Sequence, residues 1–284
     1  MTDPLDALRS GYRPMAPDAA FAARLRTRLE LAVLGQSGAK MSTEAKSVTV
    51  EANPARDGDL AYSSVWLPDV ARGEAFYAAA LGWRVEPGRE PRSRRVSDVT
   101  PPMGMWGGVE DRTLFLCHAV DDVHAAVDRV RAAGGSADEP VQEPYGLVAN
   151  CVDNQGMRFA LLDAPLGGRQ PLPTPGVGSL LYLTVTVPNS ALFRDFYGAL
   201  FGWTFTAGRV DDGWSVHGVS PMTGMSGGAA RPAVAPMYGV ADIAAAVAAV
   251  RASGGTATEP VEMPYGTTSD CVDDQGLHFY LGQI

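Results

Sequence analysis

The feature that most limits how this chain can fold is a repeat: sliding the sequence by 120 residues superimposes two segments without a gap. Phe76-Tyr77 recurs as Phe196-Tyr197, and Gly82-Trp83 as Gly202-Trp203. Gly104-Met105, Pro144-Tyr145-Gly146 and Cys151-Val152-Asp153 recur as Gly224-Met225, Pro264-Tyr265-Gly266 and Cys271-Val272-Asp273. The modules span 58–164 and 178–284, joined by a Pro- and Gly-rich linker over 165–177. Residues 1–57 stand outside the repeat. There Phe21, Leu25, Leu29, Ala32 and Val33 give one amphipathic helix, followed by a polar connector from residue 35 to 57. That helix is expected to dock on a module or on a second subunit, which leaves a homodimer open.

Composition enters as a set of exclusions. With 46% hydrophobic and 19% charged residues the chain can bury a core, so disorder is excluded. A net charge of −9 without a basic stripe argues against nucleic acid as a partner. No apolar run nears the roughly 20 residues of a membrane span, and the N-terminus lacks a signal-peptide core, so a cytoplasmic protein without membrane contact is expected. Three cysteines without a CxxC pair give neither a disulfide framework nor a zinc ribbon.

Each module reads as strand, helix, then three strands with a second helix between them. Tyr62, Val65 and Leu67 suggest the first strand, as do Tyr182, Val185 and Val187. Asp69 and Asn189 stand where a helix N-cap belongs, Phe76, Ala79 and Ala80 supply the apolar face, and Gly82 or Gly202 closes the helix. The second helix starts near Asp122 or Asp242, with Val123, Val127 and Val130 as its buried stripe. Asp153–Gly156 and Asp273–Gly276 are hairpin turns.

The succession D-x6-FY-x4-GW, V-x-D before a helix ending in GG, PYG, and D-x-x-G-x-x-F-x-L resembles the glyoxalase, bleomycin-resistance and extradiol-dioxygenase superfamily, also called vicinal oxygen chelate. The resemblance covers both modules. It implies an α+β fold, with two tandem βαβββ modules pairing into curved mixed sheets around a cleft. It also implies a divalent metal, held from the start of each first strand and from each last strand. Counting from Asp69, Asn189 and the hairpin glycines puts those positions at Tyr62, Ala160, Tyr182 and Tyr280. None is His, Asp or Glu, and a protonated phenol is a poor ligand, so no metal and no cofactor are expected. Shifting by one or two residues, to Ser63, Ser64, Leu183 or Thr184, does not restore a site.

Aromatic side chains at those positions favour a flat or amphipathic ligand instead. By strand alternation Ser64 and Trp66 accompany Tyr62, Thr184 and Thr186 accompany Tyr182, and His278 accompanies Tyr280. Residues the modules do not share are the better functional candidates: Trp66, Trp106, Trp214 and His217 face Thr186, Ser226, Arg94 and Ser97 across the repeat. Shared Trp83 and Trp203 read as core, Cys151 and Cys271 as inert core thiols, and His124 as a surface residue. His118 has no assignable face. Candidate catalytic groups are His217, Tyr182 and Asp98. The expected function is metal-free binding of an aromatic or apolar small molecule, in drug sequestration or secondary metabolism. A metal-independent lyase, isomerase or hydroxylase using Tyr and His stands as the alternative, and metal analysis would reveal a metal-dependent glyoxalase or dioxygenase.

Overall fold

A computed structural model describes residues 55–168 and 172–284. The helix read from Phe21 to Val33, and the connector up to residue 54, lie outside the described residues. The first module runs β1 (Leu60–Trp66), α1 (Val70–Leu81), β2 (Arg84–Pro87), β3 (Ser93–Ser97), β4 (Met103–Trp106), β5 (Thr113–Val120), α2 (Val123–Ala132), β6 (Ser136–Ala137), β7 (Val141–Glu143), β8 (Gly146–Val152) and β9 (Arg158–Asp163). The second repeats it: β10 (Leu180–Thr186), α3 (Ser190–Phe201), β11 (Thr204–Ala207), β12 (Gly213–His217), β13 (Met222–Ser226), β14 (Ala233–Val240), α4 (Ile243–Ala252), β15 (Thr256–Ala257), β16 (Val261–Met263), β17 (Gly266–Val272) and β18 (His278–Gln283).

The α+β architecture with two curved mixed sheets is the one expected, with a finer grain. Within each module the first four strands and first helix form a βαβββ unit, and the remaining five strands and second helix form a second unit with one strand more. Strands β2 and β11 are four residues long and mostly exposed, so they carry no hydrophobic alternation by which the sequence could announce them. Each module forms one nine-stranded sheet, ordered β2-β3-β4-β1-β5-β9-β8-β6 in the first, with β7 paired to β8. The antiparallel pair β1–β5 joins the two units at the centre, and β10–β14 does the same in the second sheet.

The helices form where the caps allow. The Asp69 carboxylate accepts from the amides of Ala71 at 2.9 Å and Arg72 at 3.1 Å, and Asn189 caps α3 in the same way. Gly82 ends α1 at φ 69°, a left-handed position that glycine tolerates without a steric cost. The buried side of α1 is Val70, Gly73, Phe76, Tyr77, Ala80 and Leu81; Ala79, expected inside, is exposed.

The four helices fill the space between the two sheets, and the first helix of each module reaches across to the other. Phe76 of α1 meets Phe279 of β18 edge-on with ring centroids 6.1 Å apart, and Phe196 of α3 meets Phe159 of β9 at 6.3 Å. The buried phenol of Tyr77 donates to the Asp273 carboxylate at 3.0 Å, and Tyr197 donates to Asp153 at 3.4 Å. These carboxylates also hold their own hairpin turns. Asp273 accepts from the amides of Gln275 and Leu277, as Asp153 does from those of Gln155 and Met157. Burial raises both carboxyls above the ordinary aspartate value.

His118, left unassigned by the sequence, sits in this central layer. It is 3% exposed, surrounded by Phe159, Phe201 and Trp203, and its Nδ1 bonds the carbonyl of Gly58 at 2.8 Å. Desolvation lowers its pKa to about 4. A cavity of about 20 Å³ beside it, lined by Leu183, Phe193 and Trp203 among others, has room for about one water molecule and no more. Trp83 and Trp203 are core, as read, and Cys151 and Cys271 are buried thiols whose pKa values burial pushes up to about 12 and about 11.

Candidate functional site

Because the helix faces of both sheets are spent on the central layer, each sheet has one face turned outward. Cross-strand register decides which residues share it. In the first module, pairing aligns Tyr62, Cys117, Ala160 and Asn150 in one row, Gly104, Ser64 and Phe115 in the next, and Trp106 with Trp66 in a third. Trp66 and Phe115 stack face to face, centroids 4.6 Å apart and planes 6° off parallel. The Arg92 guanidinium lies 4.5 Å above the Trp106 ring. Tyr62, 37% exposed, is hydrogen-bonded with Ser64. Its hydroxyl occupies the space a Cβ on Gly104 would need, so the glycine makes room for the ring. The result is an aromatic plate with a cation at one end.

The second module uses the same backbone differently. Met222, Tyr182, Met237, Tyr280 and Asp270 form the first row, Ser215, Gly224, Thr184 and Ala235 the second, and Ser226, Thr186 and Ala233 the third. Where the first module has Phe115, Trp66 and Trp106, the second has Ala235, Thr186 and Ser226. The aromatic plate is therefore replaced by a floor of small side chains. Tyr182 lies over Gly224 as Tyr62 lies over Gly104. His278 packs edge-on against Tyr280 at 4.8 Å, and its Nε2 bonds the Asp270 carboxylate. His217 stands near the sheet edge, its Nε2 2.8 Å from the Thr206 hydroxyl.

The residues expected to bind ligand thus fall into two groups on opposite faces of the molecule. Tyr62, Ser64, Trp66 and Trp106 share the first; Tyr182, Thr184, Thr186, His217, His278 and Tyr280 share the second. Two expectations fail. Trp214 pairs with Met225 and faces the helices, where Arg194 of α3 covers its ring at 3.7 Å. At the same repeat positions the first module has Glu74 and Arg94, an ion pair at 2.7 Å. Trp214 differs from its counterpart because its helix partner changed with it, not because a site specialised. Asp98 is also misplaced: its side chain is 67% exposed and ion-paired with Arg84 beyond the end of β3. Sequence reasoning missed Phe115 and Asp270. Strand alternation in TLFLCH would have found the first; the second needs the register of the β17–β18 hairpin.

The family's metal positions do not fit a divalent cation. Burial raises the pKa of the Tyr62 and Tyr182 phenols, so both stay protonated at neutral pH, and Ala160 has no donor atom. In the second module, His278 and Asp270 bond each other. Among the described residues no group of three or more His, Cys, Asp or Glu side chains could hold an ion.

Residues 64–162 match the sequence profile of the glyoxalase-like domain, and the second module repeats the sequence pattern of that segment at a shift of 120 residues. Among curated proteins the chain is similar to the anthracycline biosynthesis protein DauV of Streptomyces sp. (strain C5), 28% identical over 262 residues, which cover 80% of this chain and 94% of that one. Among solved structures it is similar to the Mn(II)-bound glyoxalase from Novosphingobium aromaticivorans, with TM-score 0.61, 18% identity, and 80% of this chain and 82% of that chain covered. The 2,3-dioxygenase LapB from Pseudomonas sp. KL28 matches at TM-score 0.61 with 14% identity, over 81% of this chain and 94% of that one. At such identities the structural likeness speaks for the fold alone. No helix among the described residues is long and apolar enough to cross a membrane.

Proposed function

We propose that this protein binds a flat, polycyclic aromatic molecule of secondary metabolism, without a metal, on the aromatic plate of its first module. The observation that carries this reading is the Trp66–Phe115 stack beside Trp106, on the same outward face of the sheet as Tyr62. The name of the curated relative supports it, since an anthracycline is a fused planar ring system and its natural complement is a stacking surface. Arg92 at the end of the plate suits a ligand carrying a phenolate or carboxylate at its rim. The reading takes the protein as cytoplasmic, with residues 1–57 as an accessory segment outside the two modules.

Tryptophan fluorescence tests it. A hydroxyanthraquinone titrated into the full chain is expected to quench emission with micromolar affinity. Trp66→Leu should weaken binding about tenfold, the ~1.4 kcal/mol that an aromatic stack and its lost contact area supply. Trp214→Phe, altered on the helix side, should leave affinity unchanged. Absence of quenching, or equal affinity in Trp66→Leu, would remove the plate from the function.

A further inference from the structure

The outward face of the second module carries groups that binding does not require. We infer that it is an acid–base catalytic site for a flat, enolisable carbonyl compound, with His278 as the base and Asp270 as its positioning residue.

The argument starts from the Asp270 carboxylate. An ionised carboxylate only accepts hydrogen bonds, so its bond with His278 Nε2 requires the proton on that nitrogen and leaves the lone pair on Nδ1. Tyr280 packs edge-on against the imidazole and limits its rotation. The dyad is about two-fifths exposed, open to a ligand and not locked in the core as His118 is. Beside it the floor is small: Ala235 and Thr184 cross the sheet in one row between His278 and the Tyr182 side chain, which covers Gly224, and a flat ring can lie over these two residues. Thr184, Thr186 and Ser226 bring hydroxyls to that floor, and these can donate to an oxygen that gains negative charge. The first module cannot do this. At the positions of His278 and Asp270 it has Arg158 and Asn150, and Phe115 and Trp66 fill the floor.

The step balances without a co-reactant. His278 Nδ1 takes the proton from the carbon next to the carbonyl, the C–H electron pair becomes the carbon–carbon double bond of the enolate, and the carbonyl oxygen takes the negative charge. Asp270 stabilises the imidazolium, which returns a proton to the same carbon or to a conjugated one. Nothing is oxidised or reduced, and the outcome is exchange or isomerisation.

The test uses 2-tetralone, a flat aromatic ketone with exchangeable hydrogens, and the full-length protein in D2O. NMR follows loss of the ketone's α-proton signal. Exchange is expected to run at least tenfold faster than in buffer, to saturate with ketone, and to fall at least tenfold in His278→Ala. Added imidazole should restore part of that loss, which a merely structural histidine would not allow. Asp270→Asn should lower the maximal rate while leaving the half-saturating concentration within about twofold. His124→Ala, altered at an exposed imidazole outside both faces, should leave exchange unchanged, which separates this site from catalysis by any surface histidine. Exchange no faster than buffer, an unchanged rate in His278→Ala, or loss of exchange in His124→Ala would each overturn the assignment.

Discussion

Replacing Asp273 by alanine is expected to cost about 4 kcal/mol of folding stability, read from equilibrium urea unfolding. The side chain is 4% exposed and accepts three hydrogen bonds: from the amides of Gln275 at 2.9 Å and Leu277 at 2.8 Å, and from the Tyr77 hydroxyl at 3.0 Å. Alanine would leave three donors without their partner at a site closed to water, and each such loss costs about 1–3 kcal/mol. The carboxylate also ties together two parts of the chain that lie 196 residues apart. Asp273→Asn keeps an oxygen for the two amides and lets the Tyr77 hydroxyl turn to accept, so its loss should be about 1 kcal/mol. If alanine and asparagine cost the same, the turn amides are not what the carboxylate holds. Asp153→Ala should follow the same pattern with a smaller effect, because its tyrosine bond is the longer one at 3.4 Å.

Acid is expected to weaken the fold through His118, by about 3 kcal/mol between neutral pH and pH 4. Above the ordinary histidine value of about 6.5 neither the folded nor the unfolded chain protonates this ring. Below it the unfolded chain takes up a proton that the folded chain, with His118 lowered to about 4, refuses. Stability is therefore lost as pH falls through that window and levels off below it. Asp153 and Asp273 act in the opposite sense, since burial raises their pKa values and the folded chain keeps their protons longer as pH rises. Comparison with His118→Asn removes that overlap, because both carboxyls are common to the two proteins. Asparagine can keep the donor to the Gly58 carbonyl but cannot titrate, and its stability curve should lack the extra fall. Identical curves for the two proteins would mean that His118 is protonated within the fold.

The repeat, the helix caps at Asp69 and Asn189, the closing glycines and the core tryptophans were legible in the sequence, because each depends on neighbours a few positions away. What the sequence did not disclose depends on pairing across distance. The register that puts Asp270 beside His278 is a property of the β17–β18 hairpin, and the two-unit build of each module hides in edge strands too short and too exposed to alternate. Trp214 is the instructive failure. A difference between the modules pointed to function, yet Glu74–Arg94 and Arg194–Trp214 are two solutions to one contact. Differences that arise in pairs across a helix and a strand conserve packing; unpaired ones, such as Phe115 against Ala235, change the room available on an outward face.

The exchange of first helices between the modules has a consequence for how the protein can be divided. A period of 120 residues invites cutting the gene at the linker and studying one copy alone. Either half so made would expose Phe76 and Tyr77, or Phe196 and Tyr197, together with the sheet face each should cover. Such halves are expected to aggregate singly and to reassemble when mixed, and a protease nick in the linker should leave the two pieces eluting as one. The unit that evolution copied is half the size of the unit that folds.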